Sequence, residues 1–186
     1  MSADSRSYSD TEQVVQEDHH PLCDAAYNGD LEEVRRLVES GHCINEIDMR
    51  TPLMWATAMG AKDIVTYLIQ RGANLSMVDY AGRTAAMYAA MSGNFDILRI
   101  LLKSGASPNT VETPCELYQG ATALMWAIEN KKIDCVRLLL AYGADIGIKD
   151  KEGRTAKDYA LIGKKKQISE LLEREETERK KGEIWL

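Results

Sequence analysis

Five stretches of this chain repeat one another. They are "HPLCDAAYNGDLEEVRRLVESGHC" from His20, "TPLMWATAMGAKDIVTYLIQRGAN" from Thr51, "TAAMYAAMSGNFDILRILLKSGAS" from Thr84, "TALMWAIENKKIDCVRLLLAYGAD" from Thr122 and "TAKDYALIGKKKQISELLE" from Thr155. Their first residues are spaced 31, 33, 38 and 33 apart. A unit this short cannot bury an apolar face alone, so neighbouring units must stack and share one elongated core.

The pattern inside each unit says how. With the Thr (or His20) as offset 0, small or apolar residues fall at +2, +5, +6 and +9, as in Leu53, Ala56, Thr57 and Gly60, or Ala86, Ala89, Ala90 and Gly93. That i, i+3, i+4, i+7 spacing predicts a first helix buried along one narrow face. Larger residues follow at +13, +14, +17 and +18, as in Ile64, Val65, Leu68 and Ile69, and predict a second helix. Gly72, Gly105 and Gly143 stand where that helix needs a left-handed terminating residue.

These segments resemble the ankyrin repeat family, whose pattern reads T-P-L-H-x-A-A-x-x-G and then x-x-x-V-x-x-L-L-x-x-G-A-D. The resemblance covers roughly residues 20–173. It implies an all-α solenoid of paired antiparallel helices with β-hairpin fingers, and a concave surface made by the first helices and fingers. Its approximate units are 20–47, 48–78, 79–111, 112–149 and 150–173 within a domain spanning 19–173. An unstructured acidic tail over 1–18 and a charged helical tail over 174–186 flank it. Two fingers depart from the pattern. "IDMR" keeps Asp48 but lacks the turn glycine, and "SPNTVETPCELYQG" carries about five extra residues.

Offset +4 lies nearly opposite the buried stripe, because a helix turns about 100° per residue. Asp24, Trp55, Tyr88, Trp126 and Tyr159 occupy it, so four of the five units carry an aromatic ring there. The expectation is a ladder of rings projecting into the concave groove, about 10 Å apart. Met59 and Met91 flank the line, and Tyr80, Tyr118, Arg50 and Arg83 reach it from the fingers. Aromatic and methionine side chains are what interface centres are built from. The function expected is therefore a protein–protein interaction adaptor or scaffold. It binds a partner protein through the groove at these residues and Glu129, as a monomer or as a subunit of a hetero-complex.

An alternative is a reader of methylated lysine. Trp126, Glu129 and Tyr159 resemble the aromatic cage in ankyrin domains of certain histone lysine methyltransferases, where ring faces attract a cation. The second tryptophan of that cage is Ala121 here.

Composition narrows the rest. The net charge of −6 excludes a broad nucleic-acid surface and favours a partner with a basic patch. No apolar run reaches the 18 residues of a membrane span. The four cysteines have no C-x-x-C spacing, which fits reduced thiols in the cytoplasm or nucleus. His19, His20, Cys23, His42 and Cys43 match no zinc spacing, and no P-loop or dinucleotide motif is present. Neither catalytic residue, cofactor nor metal site is expected.

Overall fold

The computed structural model of the protein describes residues 20–113 and 120–183, with side chains through residue 178. The expected acidic tail, His19, Tyr118 of the long finger and the C-terminal Ile184, Trp185 and Leu186 lie outside the described residues.

Among the described residues ten helices form five pairs. They are α1 (Pro21–Asn28) with α2 (Leu31–Glu39), α3 (Pro52–Met59) with α4 (Lys62–Gln70), and α5 (Ala85–Ser92) with α6 (Phe95–Lys103). The last two are α7 (Ala123–Glu129) with α8 (Ile133–Ala141), and α9 (Ala156–Ile162) with α10 (Lys166–Glu183). Each first helix packs on the first helix of the next pair, and more closely than successive second helices do. The side chains explain this. Ala56, Thr57, Ala89, Ala90 and Ala127 fill the inner seam and are buried, whereas Ile64, Leu68, Leu98, Leu101 and Leu139 prop the second helices apart. A stack held close on one side and propped on the other curves toward the close side.

Threonine starts the first helices. The hydroxyls of Thr51, Thr84 and Thr122 accept the N–H of Met54, Met87 and Met125 at the third helical position. At the fifth start, the N–H and hydroxyl of Thr155 both donate to Asp158, at 2.7 Å each. Caps of this kind are worth about 1 kcal/mol each.

Offset +9 ends these helices instead of extending the buried stripe. Gly29, Gly60 and Gly93 there have φ of 76°, 77° and 81°. Lys131 and Lys164 hold the same left-handed conformation, at 57° and 50°, without glycine's freedom. The +6 slot shows what stacking does. Thr57, Ala90 and Ile128 are sealed by the unit that follows, while Leu161 of the fifth pair is 65% exposed.

The β-hairpin fingers do not form. Among the described residues there is no β-strand, only the isolated bridges Asp48–Arg50 and Val111–Thr122. The fingers at Asp79 and Asp150 are too short to build a ladder within themselves, and their turn carboxylates take the N–H groups that a ladder would use. Asp79 Oδ1 accepts from the N–H of Ala81 and of Arg83, 2.9 Å each. Asp150 Oδ1 accepts from Glu152 and Arg154 in the same way, at 2.9 and 2.8 Å. These two fingers are carboxylate-closed turns.

Candidate functional site

The +4 rings turn toward the fingers, away from the second helices, and the fingers hold three of the four by their polar edges. Trp55 Nε1 donates to the Asp48 carbonyl at 3.2 Å. The Tyr88 hydroxyl donates to Asp79 Oδ2 at 2.5 Å, and that of Tyr159 to Asp150 Oδ2 at 2.8 Å. Burial and then the carboxylate bond push both phenols above their ordinary range. Among the described residues Trp126 Nε1 is buried with no hydrogen-bond partner.

The ring faces carry arginines. The Arg50 guanidinium lies between Trp55 and Tyr88, 4.4 and 4.5 Å from the two ring centres. Arg83 lies 5.2 Å over Trp126 of the next first helix, and Arg154 lies 4.9 Å over Tyr159. The expected row of rings is thus a composite of rings and guanidinium groups in alternation. Trp55 and Trp126 are half-buried, while Tyr88 and Tyr159 are only 6% and 8% exposed.

The side chains that open to solvent lie along the rims of this row. Met59 is 52% exposed and Tyr80 66%. Tyr27, on α1, is exposed and meets Trp55 edge to face, with ring centres 5.1 Å apart. Met91 is half-buried. Glu129 is exposed and pairs with Lys165 Nζ at 3.2 Å. Each group of the Trp126, Glu129 and Tyr159 trio therefore already holds a cation of the chain itself.

Glu112 is the participant that the Thr-based register misses. It is fully buried. Its Oε1 takes the Nε–H of Arg83 at 2.5 Å, and its Oε2 accepts the N–H of Ala121 at 3.4 Å. Its own N–H donates to the Ala121 carbonyl at 3.0 Å. Glu112 thus closes the base of the long finger and fixes Arg83 over Trp126. A register counted forward from the preceding glycine would have found it. Asp48, Asp79, Glu112 and Asp150 each stand seven residues after Gly41, Gly72, Gly105 and Gly143. Glutamate, one methylene longer than aspartate, stands there in the long finger.

Among the described residues the thiols and histidines do not converge. Cys23 is buried, with Sγ donating to the Arg50 carbonyl at 3.4 Å, and burial raises its pKa to about 12. His42 Nδ1 instead lies 3.0 Å from the Ser40 hydroxyl. Among the described residues no group of three His, Cys, Asp or Glu side chains could hold a metal ion. Nor is any described helix long and apolar enough to cross a membrane.

A curved stack of helix pairs, with turn-built fingers beside its first helices, defines a repeat scaffold with an open groove. The chain belongs to the ankyrin repeat family: the family's model, described as ankyrin repeats in three copies, matches residues 22–112 and 110–181. The repeats are also similar to parts of much larger proteins. A probable E3 ubiquitin-protein ligase of Oryza sativa subsp. japonica, XBOS33, is 35% identical over 85 residues, which is 44% of this chain and 16% of that protein. The E3 ubiquitin-protein ligase Ufd4 of Drosophila melanogaster is 36% identical over 96 residues, 49% of this chain and 3% of that one. Inversin of Mus musculus is 35% identical over 86 residues, 45% of this chain and 8% of that one. The chain thus spans under a fifth of each of these relatives.

Proposed function

We propose that the chain recognises a partner protein through its concave groove and acts as an adaptor. The observation that carries this reading is a rigid floor with an apolar rim. Trp55, Tyr88, Trp126 and Tyr159 are fixed by finger carboxylates or carbonyls, by arginine faces, or by both. Tyr27, Met59 and Tyr80 beside them are exposed. A fixed floor loses little side-chain entropy on binding, and exposed aromatic and methionine groups gain by excluding water.

In this reading the four rings anchor the site. Arg50, Arg83, Tyr80, Tyr118, Met59, Met91 and Glu129 set its specificity. The net charge of −6 steers a partner with a basic patch toward the molecule at long range. Cys23, Cys43 and Cys135 are free thiols, which supports a reducing compartment, cytoplasm or nucleus. The ligase activity named for two of the relatives is not carried over, since the shared segment is the repeat scaffold alone.

The test is affinity capture with the protein and with a Met59→Ser, Tyr80→Ser double variant. Both positions are exposed, so the variant keeps its fold. Loss of the captured partner at unchanged melting temperature supports the groove. Undiminished capture places the contact elsewhere.

A further inference from the structure

We infer that Arg50 is the point at which the groove takes a carboxylate side chain of its partner, an Asp or Glu flanked by apolar residues. The inference rests on the groove reading above and adds the chemistry of what the groove holds.

Three finger arginines stand just before the Thr of their units, and two of them are paired internally. Arg83 has Glu112 at 2.5 Å. Arg154 has Asp150 at 2.8 Å and Glu152 at 2.7 Å. Arg50 has its guanidinium against two rings, 4.4 and 4.5 Å from their centres, and, among the described residues, has no carboxylate within ion-pair reach. Neither Asp48 of its own finger nor Asp79 of the next serves it. Its own finger is the short one, so Asp48 is two residues away instead of the four that separate Asp79 from Arg83 and Asp150 from Arg154. That tight turn drives Met49 to φ 55° and bridges the two backbones, and the Asp48 carboxylate does not fold back onto the arginine. Asp79, from the next finger, spends Oδ2 on the Tyr88 hydroxyl and Oδ1 on two backbone N–H groups.

A guanidinium set against two rings meets a carboxylate through its edge. That edge is a planar fork of N–H donors matched to a carboxylate, and the two rings have already removed the rotational freedom that an arginine ordinarily loses on binding. The flanks are apolar. Trp55 meets Tyr27 edge to face on one side, and the exposed Met59 lies one helical turn along α3. A partner segment would seat apolar side chains there while its acid reaches the fork. Since the chain is acidic overall, this pairing depends on contact geometry and not on long-range attraction.

The test pans a displayed library of random heptapeptides on the full chain, then measures a synthetic selected peptide against variants. The expected result is one shared Asp or Glu among selected peptides with apolar neighbours. Arg50→Gln then weakens binding about tenfold or more, as the loss of a charge-assisted bidentate contact does. Changing the peptide's acid to its amide costs the same on the wild type and nothing further on Arg50→Gln. Arg50→Lys keeps the charge without the fork and gives an intermediate loss; it carries the test if Arg50→Gln does not fold. Selected peptides without a shared acid overturn the inference, as does an acid-to-amide loss that persists in full on Arg50→Gln. Peptides whose binding ignores both Met59→Ser and Tyr80→Ser sit outside the groove and overturn the groove reading as well.

Discussion

Removing the carboxylate of Glu112 should be among the most destabilising single changes available in this chain. Glu112→Ala deletes a fully buried anion whose partner, Arg83, keeps only 19% of its side chain in water. Breaking such a pair by removing one partner costs about 3–5 kcal/mol when the remaining charge is sealed in. Arg83 retains some solvent and its contact with Trp126, which lowers the figure, while the bond to the Ala121 amide is lost as well. The expected cost is about 3 kcal/mol, or roughly 6–12 °C in melting temperature for a chain of this size. Glu112→Gln keeps the shape and an acceptor for Ala121 but loses the charge, so about half of that is expected. Urea unfolding followed by circular dichroism measures both, and tryptophan fluorescence reports the region around Trp126. A loss below about 1 kcal/mol for Glu112→Ala would refute the claim that this carboxylate holds the long finger and Arg83 together.

Two further outcomes follow from the geometry. Lys131 and Lys164 occupy left-handed positions that three glycines take elsewhere in the stack, and both are exposed. Lys131→Gly and Lys164→Gly should each stabilise the protein by about 0.5–1 kcal/mol in denaturant titration, against the usual penalty for introducing glycine. Asp150 should add a pH dependence at the acid end. Burial raises its pKa, but the bonds from the Arg154 backbone, the Arg154 side chain and the Tyr159 hydroxyl outweigh this, and the folded-state value falls below the ordinary one. Its contribution is therefore complete above the unfolded-state pKa, near 4, and disappears as the pH drops through the lower folded value. Relative to wild type, Asp150→Asn should be clearly less stable at pH 7 and should lose most of that deficit by about pH 2–3, read by urea midpoints at each pH.

Much of the scaffold was legible because it depends on nearest neighbours along the chain. The +2, +5 and +6 stripe and the glycines after the second helices are local choices, and Leu53, Ala56 and Gly72 sit as their spacing requires. For the +4 rings only the side of the helix was legible: they were expected to project into the groove, and Tyr88 and Tyr159 are instead buried, 6% and 8% exposed. What covers them was not legible. An offset angle says which way Tyr88 points, but the guanidinium on its face comes from Arg50, one unit earlier, and the acid at its hydroxyl from a finger turn. Contacts of that kind depend on how units stack, which no single-helix period encodes. Glu112 was hidden by the insertion, which shifts it relative to the following Thr while leaving its distance from Gly105 intact. The hairpin expectation failed because the family pattern carries no account of where finger N–H groups go, and here the side chains of Asp79 and Asp150 take them.

The central claim is that a partner protein lies in the groove between fingers and first helices. Photo-crosslinking tests it most directly, with benzoylphenylalanine placed singly at Met59 and Tyr80 in the groove and at Arg99 on exposed α6. The account predicts that the same partner is captured from Met59 and Tyr80 and that none is captured from Arg99. Capture from Arg99 with silence at the other two positions would contradict it.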